Sequence, residues 1–181
     1  MEYLPDVYIE KTAAGKALES AIKKMQSSNN VVAKAGWFSS ARYKESIDTK
    51  TGEITGSDKH VAEIAMQNEF GNPNRKIPPR PFMRPALIHG KKLLQEIVDS
   101  QAKKILSDQS TVSKALDLVS AKYVGLVKRE IKNLYSPPLS PYTIHMRLER
   151  RRRKVMTATL TKPLIDTGVM FNTITNVVEN E

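Results

Sequence analysis

Cysteine is absent from the chain. That excludes disulfide staples, thiolate chemistry and cysteine metal sites. No apolar run approaches the roughly 20 residues a membrane helix needs, so no spanning helix is expected. The opening Met1-Glu2-Tyr3-Leu4-Pro5-Asp6 is acidic and broken by Pro5, unlike a secretory signal. A protein made in a cytoplasm and staying soluble is therefore expected. Aromatic residues make up only 6% of the sequence and glycine occurs eight times. No glycine-rich phosphate loop is present, and no Gly-x-Ser-x-Gly elbow.

Acidic side chains are also in short supply. There are 19 of them against 29 lysines and arginines, for a net charge of +10. Such a surplus attracts polyanions, either nucleic acid or an acidic protein surface. With 181 residues, the chain fits one domain spanning residues 1–181. Residues 44–59 read as a loop or hairpin insertion, and residues 147–161 as a basic extended segment.

Hydrophobic spacing predicts an α+β fold, with a small antiparallel sheet packed against a long helical hairpin. Lys16 to Met25 has helical periodicity, and Val31 to Phe38 reads as a strand with one buried face. Tyr43 to Ile47 and Glu53 to Thr55 flank the turn residues Asp48 to Gly52 and read either as a paired hairpin or as a disordered loop of similar composition. A helix from His60 to Glu69 has Asp58 as its expected cap and Gly71 as its stop. Five prolines between Asn72 and Pro85 predict a stiff, extended segment, with Pro85 opening the next helix.

Two long amphipathic helices follow. One carries the stripe Ala86, Leu87, Leu94, Ile97, Val98, Ile105 and Leu106. The other carries Val112, Leu116, Val119, Tyr123, Leu126, Val127, Ile131 and Leu134. The caps in Ser107 to Ser110 favour a hairpin over a single bent helix. Gly90 and Gly125 stand alone in these helices, where close packing would explain them. After the break Ser136 to Pro141, a helix from Tyr142 to Lys154 is expected, capped by Ser140 with Pro141 first. Met156 to Lys162 reads either way. A short helix from Thr167 to Ile174 and a strand through Asn176, Val177 and Val178 close the fold.

Several candidates for chemistry are weighed against plainer roles. Leu164-Ile165-Asp166-Thr167-Gly168 presents a carboxylate as an aspartic protease does. That reaction needs two such carboxylates sharing a proton. There is no second copy, and too little chain follows Gly168 for the supporting sheet. Asp166 is instead expected to cap the short helix at Thr167. His60, His89 and His145 share no metal-ligand spacing, so no metal and no cofactor is expected. Arg147, Arg150, Arg151, Arg152, Arg153 and Lys154 form the strongest basic block. It suits phosphates or an acidic partner, or else a solvated helix end. Pro79-Arg80-Pro81-Phe82 sets one large apolar side chain in a stiff frame. It reads as a docking arm, or as a loop plugged onto its own core by Phe82.

The ordered set Ala35-Gly36-Trp37-Phe38, Val61-Ala62-Glu63-Ile64-Ala65, Asn68-Glu69-Phe70-Gly71 and Ile77-Pro78-Pro79-Arg80-Pro81-Phe82 continues into two later segments. These are Ser136 to Ile144 and Lys162 to Met170. Together they resemble the tail-completion, neck and virion-morphogenesis proteins of tailed bacteriophages, over about Ala35 to Val178. The resemblance implies a small non-enzymatic α+β subunit in a ring, usually a homohexamer, at the head–tail junction of the virion. Its partners would be a connector or head-closure protein on one side and tail-tube or tail-terminator subunits on the other. Genomic DNA would pass through the channel. Residues 44–59 and the basic run from Arg147 to Thr161 are longer than that family's usual links.

On this reading Phe70, Gly71, Pro79, Arg80, Pro81, Phe82, Leu164, Asp166 and Gly168 are interface candidates. Arg147, Arg150, Arg151, Arg152, Arg153 and Lys154 are candidates to face DNA or an acidic neighbour. The alternative function is a sequence-independent nucleic-acid-binding protein that uses Arg150 to Arg153.

Overall fold

The computed structural model describes residues 30–43, 46–47, 54–55, 58–153 and 160–180, with backbone alone at 46–47, 54–55 and 150–153. It also describes Lys16, Glu19, Ser20, Ile22, Lys23 and Gln26, all helical. The rest of the helix expected from Lys16 to Met25 lies outside the described residues, as does Lys154.

The fold is α+β. Strand β1 (Val31–Gly36) pairs antiparallel with the last strand, β4 (Thr175–Asn180), in register from Val31↔Asn180 to Gly36↔Thr175. Short strands β2 (Ser46–Ile47) and β3 (Ile54–Thr55) form a separate antiparallel pair, the hairpin of the two readings. Helix α1 spans Val61–Phe70 and is followed by a 3-10 turn over Pro73–Arg75. The hairpin is α2 (Met83–Leu106) and α3 (Val112–Asn133). Helix α4 (Pro141–Arg153) and the short α5 (Val169–Thr173) lead into β4.

The hairpin forms because each helix carries an apolar stripe that neither can bury alone. Val124, Leu126, Val127 and Ile131 of α3 meet Ala86 and Leu94 of α2. Gly90 allows the closest approach. A Cβ there would stand 2.2 Å from Leu126 Cδ1, so the spacing is set by the missing side chain. Gly125 has nothing within 4 Å of such a carbon, and close packing does not explain it. The Tyr123 hydroxyl donates to the Met83 carbonyl at 3.1 Å and ties the start of α2 to α3. The sheet lies on α3, where the Asn176 amide donates to Asp117 Oδ1 at 2.7 Å and Ser120 Oγ at 3.0 Å.

Helix starts differ from expectation at α1, α2 and α3, and α2 opens at Met83 with Pro85 in its third position. Asp58 does not cap α1; it pairs with Arg42 across the link to His60. Thr111, rather than the Ser107–Ser110 group, caps α3 by accepting from the Lys114 amide. Ser140 caps α4 as expected, accepting from the Thr143 amide, with Pro141 in the first position.

The proline segment is not extended throughout. Asn72 and Ile77 close a tight loop through two mutual backbone hydrogen bonds, and only the stretch from Ile77 to Pro81 is drawn out. Gly71 turns the chain into that loop at φ 78°, ψ 172°. Any other residue is strained there, and a Cβ would meet Pro79 N at 2.9 Å.

Candidate interaction surface

The arm expected to dock on a neighbour is fastened to its own subunit. Phe82 is fully buried, and its ring meets Trp37 edge to face with centroids 5.8 Å apart. Trp37 itself donates from Nε1 to the Met170 carbonyl at 2.8 Å. Burying a phenylalanine so completely stabilises the fold by about 2–3 kcal/mol. Phe82 is thus a core residue, and the plug reading holds instead of the interface reading. Arg80 is buried too. Its guanidinium donates to the carbonyls of Pro137 and Pro138 at 2.8 and 2.7 Å. Burial disfavours its charged form and lowers its pKa from the ordinary value. Arg80 therefore locks the first proline segment against the second, which includes a cis Ser136–Pro137 bond.

Glu69 organises the start of α2. Its buried carboxylate accepts from the backbone amides of Phe82, Met83 and Arg84 at 2.7, 2.9 and 3.3 Å, and from Arg84 Nε at 3.1 Å. These amides would otherwise have no partner at a helix N-terminus, and negative charge there also suits the helix dipole. Desolvation pushes its pKa up, but the four hydrogen bonds outweigh it and hold the carboxyl below the usual range. The same charge, after burial, helps raise the Tyr123 pKa.

A second polar knot replaces the expected DNA contact at Arg147. This side chain is buried at 5% exposure. Its guanidinium donates to the carbonyls of Lys162 at 2.6 Å, Ile165 at 3.3 Å, Pro163 at 3.3 Å and Leu160 at 3.4 Å. Nε lies 3.5 Å from Asp166 Oδ1. Arg147 therefore belongs to the fold and not to a channel surface. Asp166 does not cap α5: the helix starts at Val169 behind Gly168 in the left-handed conformation, with no side-chain cap. Leu164 is buried in the core, so it too leaves the list of exposed interface candidates. Arg150, Arg151, Arg152 and Arg153 continue α4 in backbone; their side chains lie outside the described residues.

What stays exposed differs from what the sequence suggests. Phe70 is 63% exposed at the end of α1, with the Arg84 guanidinium 5.2 Å from its ring centroid. Pro79 is exposed and Pro81 half-buried. Met66, Leu87 and Ile88 are exposed beside this group on α1 and α2. Along α2, Val98 and Leu106 are exposed too. The apolar stripe read for α2 is therefore broader than the strip α3 covers. Tyr135 and Tyr142, which flank the second proline break, are 62% and 73% exposed. The Lys162 ammonium stands 4.8 Å from the Tyr135 centroid.

Among the described residues, no group of His, Asp or Glu is placed to hold a metal ion. His89 instead lies 3.2 Å from Glu130 and His60 lies 3.0 Å from Arg42. No helix is long and apolar enough to cross a membrane among those residues. No family model, curated protein or solved structure matches the chain.

Proposed function

We propose that this chain is a structural subunit of a tailed-phage virion, assembling as a ring at the head–tail junction and acting without catalysis. The observation that carries the reading is the uncovered apolar flank of α2. Leu87 and Val98 lie about three turns apart on one line, and Ile88 and Leu106 about five turns apart on the next. All four are exposed. Exposed Lys91, Gln95 and Asp99 stand between them on the same face, so apolar and polar groups alternate there, as they do across a protein–protein contact. A surface that must meet copies of itself in a closed circle uses two different patches, one on each side of the subunit.

The rigid frame of the subunit favours the same reading. Arg80 fastens the two proline segments to each other, Glu69 ties α1 to the start of α2, and Arg147 ties α4 to the segment from Leu160 to Ile165, so little order remains to be imposed on binding. The commitment of Asp166 to Arg147 gives the Asp-Thr-Gly sequence a structural task. The resemblance to tail-completion and neck proteins supplies the location and the hexamer. It also supplies the connector and tail partners.

The test is the assembly state of the purified chain by light scattering and negative-stain microscopy. A discrete ring is expected. The double variant Leu87→Glu, Val98→Glu is expected to remain a folded monomer. A parent chain that is monomeric at all concentrations and in the presence of connector and tail proteins sinks the proposal. So does a gene neighbourhood without capsid, connector or tail genes.

A further inference from the structure

Exposed aromatic side chains gather at one end of the hairpin. Phe70 precedes the first proline segment, Tyr135 precedes the second, and Tyr142 follows it. Arg80 holds these two segments together through the Pro137 and Pro138 carbonyls. Phe70, beside Arg84 at the start of α2, and Tyr135 and Tyr142, on either side of the segment that Arg80 binds, therefore all belong to the open end of the hairpin, away from the turn at Ser107. They are the most exposed aromatic side chains among the described residues, while Trp37 and Phe82 are drawn into the subunit.

Two of these rings carry a fixed cation. Arg84 stands over Phe70 and is held by Glu69 at 3.1 Å. Lys162 stands over Tyr135 and donates to the Lys132 carbonyl at 2.6 Å. The surrounding charge is also positive. Arg75 and Lys76 are exposed on the loop after Phe70, and Lys132 is exposed at the last turn of α3. The acidic groups nearby are mostly committed inward: Glu69 is buried under α2 and Asp166 faces Arg147. Glu63 on α1 and Glu149 on α4 add a small negative charge.

We infer that this aromatic and basic end is a docking face for an acidic protein surface that presents apolar side chains between its carboxylates. The inference deepens the assembly reading and rests on it for the partner being another protein. Aromatic and arginine side chains dominate the binding energy of protein interfaces. Cations already held over the rings meet carboxylates with little ordering cost. A two-fold contact with a second copy is disfavoured at this face, because it would bring the same positive charge against itself. The α2 flank serves as one of the two patches of self-association, and the docking face has a separate task.

The test uses the full chain and three probes: a glutamate–tyrosine copolymer, poly-glutamate of the same length, and duplex DNA. Binding is read by calorimetry at fixed salt, beside the light-scattering mass. The copolymer is expected to bind about tenfold more tightly than poly-glutamate. The triple variant Phe70→Ser, Tyr135→Ser, Tyr142→Ser is expected to lose that margin. It keeps the poly-glutamate affinity, the duplex affinity and the parent's mass. Equal binding of the two polymers by the parent, or a margin retained by the variant, overturns the inference. A parallel loss of duplex binding assigns the face to nucleic acid instead, and a drop in mass assigns it to a second copy. A monomeric parent that still prefers the copolymer removes the ring but leaves the docking face standing.

Discussion

The Arg147 guanidinium reaches from α4 to within 3.5 Å of the Asp166 carboxylate and at the same time gathers four backbone carbonyls between Leu160 and Ile165. This joins the middle of the basic helix to the segment that leads into α5 and β4. Replacing Arg147 with Met would leave those carbonyls and a carboxylate without their donor. Breaking a buried pair of this kind costs about 3–5 kcal/mol. Arg147→Met is therefore expected to lower the urea midpoint sharply. Arg147→Lys recovers only part of it, because a single ammonium cannot replace a planar fork of donors. An unchanged midpoint in Arg147→Met would refute this account.

Glu69 gives the fold a pH dependence with a definite sign. Its folded pKa lies below the ordinary glutamate value of 4.5. The unfolded chain therefore takes up a proton first as pH falls. The stabilisation is complete above about 4.5 and is lost progressively below that, through the folded value. Glu69→Gln gives up charge-assisted hydrogen bonds of about 1.5–3 kcal/mol together. The parent is expected to exceed this variant in stability at neutral pH, and the gap to close in acid. A gap that stays constant from pH 7 to pH 3 in urea titrations would contradict the capping role.

Phe82 tests the boundary between arm and core. Its ring is fully buried against Trp37, and removing a buried phenylalanine costs about 3–5 kcal/mol. Phe82→Ala is expected to unfold or severely destabilise the monomer, read by the loss of the cooperative thermal transition. Phe70→Ala removes an exposed ring and is expected to change the unfolding free energy by roughly 0.5 kcal/mol or less. If the two variants are equally stable, Phe82 is not the plug described here.

These pairs explain which parts of the fold were legible. The helices, the closing strand and the β2–β3 pair rest on periodicity and turn residues, which are local signals. The Ser140 cap and the Gly71 turn depend on neighbours within about one turn. Arg80, by contrast, finds its acceptor at Pro137, 57 positions along the chain. In sequence it reads as a surface cation beside an aromatic anchor. Arg147 was hidden for the same reason: its acceptors lie 13 to 18 positions further along the chain. Glu69 carried a faint signal: an acid at the end of a helix, where the macrodipole disfavours it, needs a partner elsewhere. The α2 stripe was read without Ile88 and Leu93, which are also exposed, and spacing alone does not say how much of it α3 covers.

The two glycines of the hairpin make opposite predictions from the same substitution. At Gly90 a Cβ would lie 2.2 Å from Leu126 Cδ1 and 3.3 Å from Leu126 Cγ, and Leu126 is itself buried. The helices would have to part or the leucine turn into a poorer position. Overpacking of this kind costs about 1–3 kcal/mol. At Gly125 an added Cβ meets nothing within 4 Å. Alanine there gains helix propensity and reduces the freedom of the unfolded chain, by up to about 1 kcal/mol. Gly90→Ala is thus expected to lower the denaturation midpoint and Gly125→Ala to raise it. Adding Leu126→Ala to Gly90→Ala tests the cause, since a clash makes the two losses less than additive. Strictly additive losses would mean that Gly90 is not held in place by Leu126.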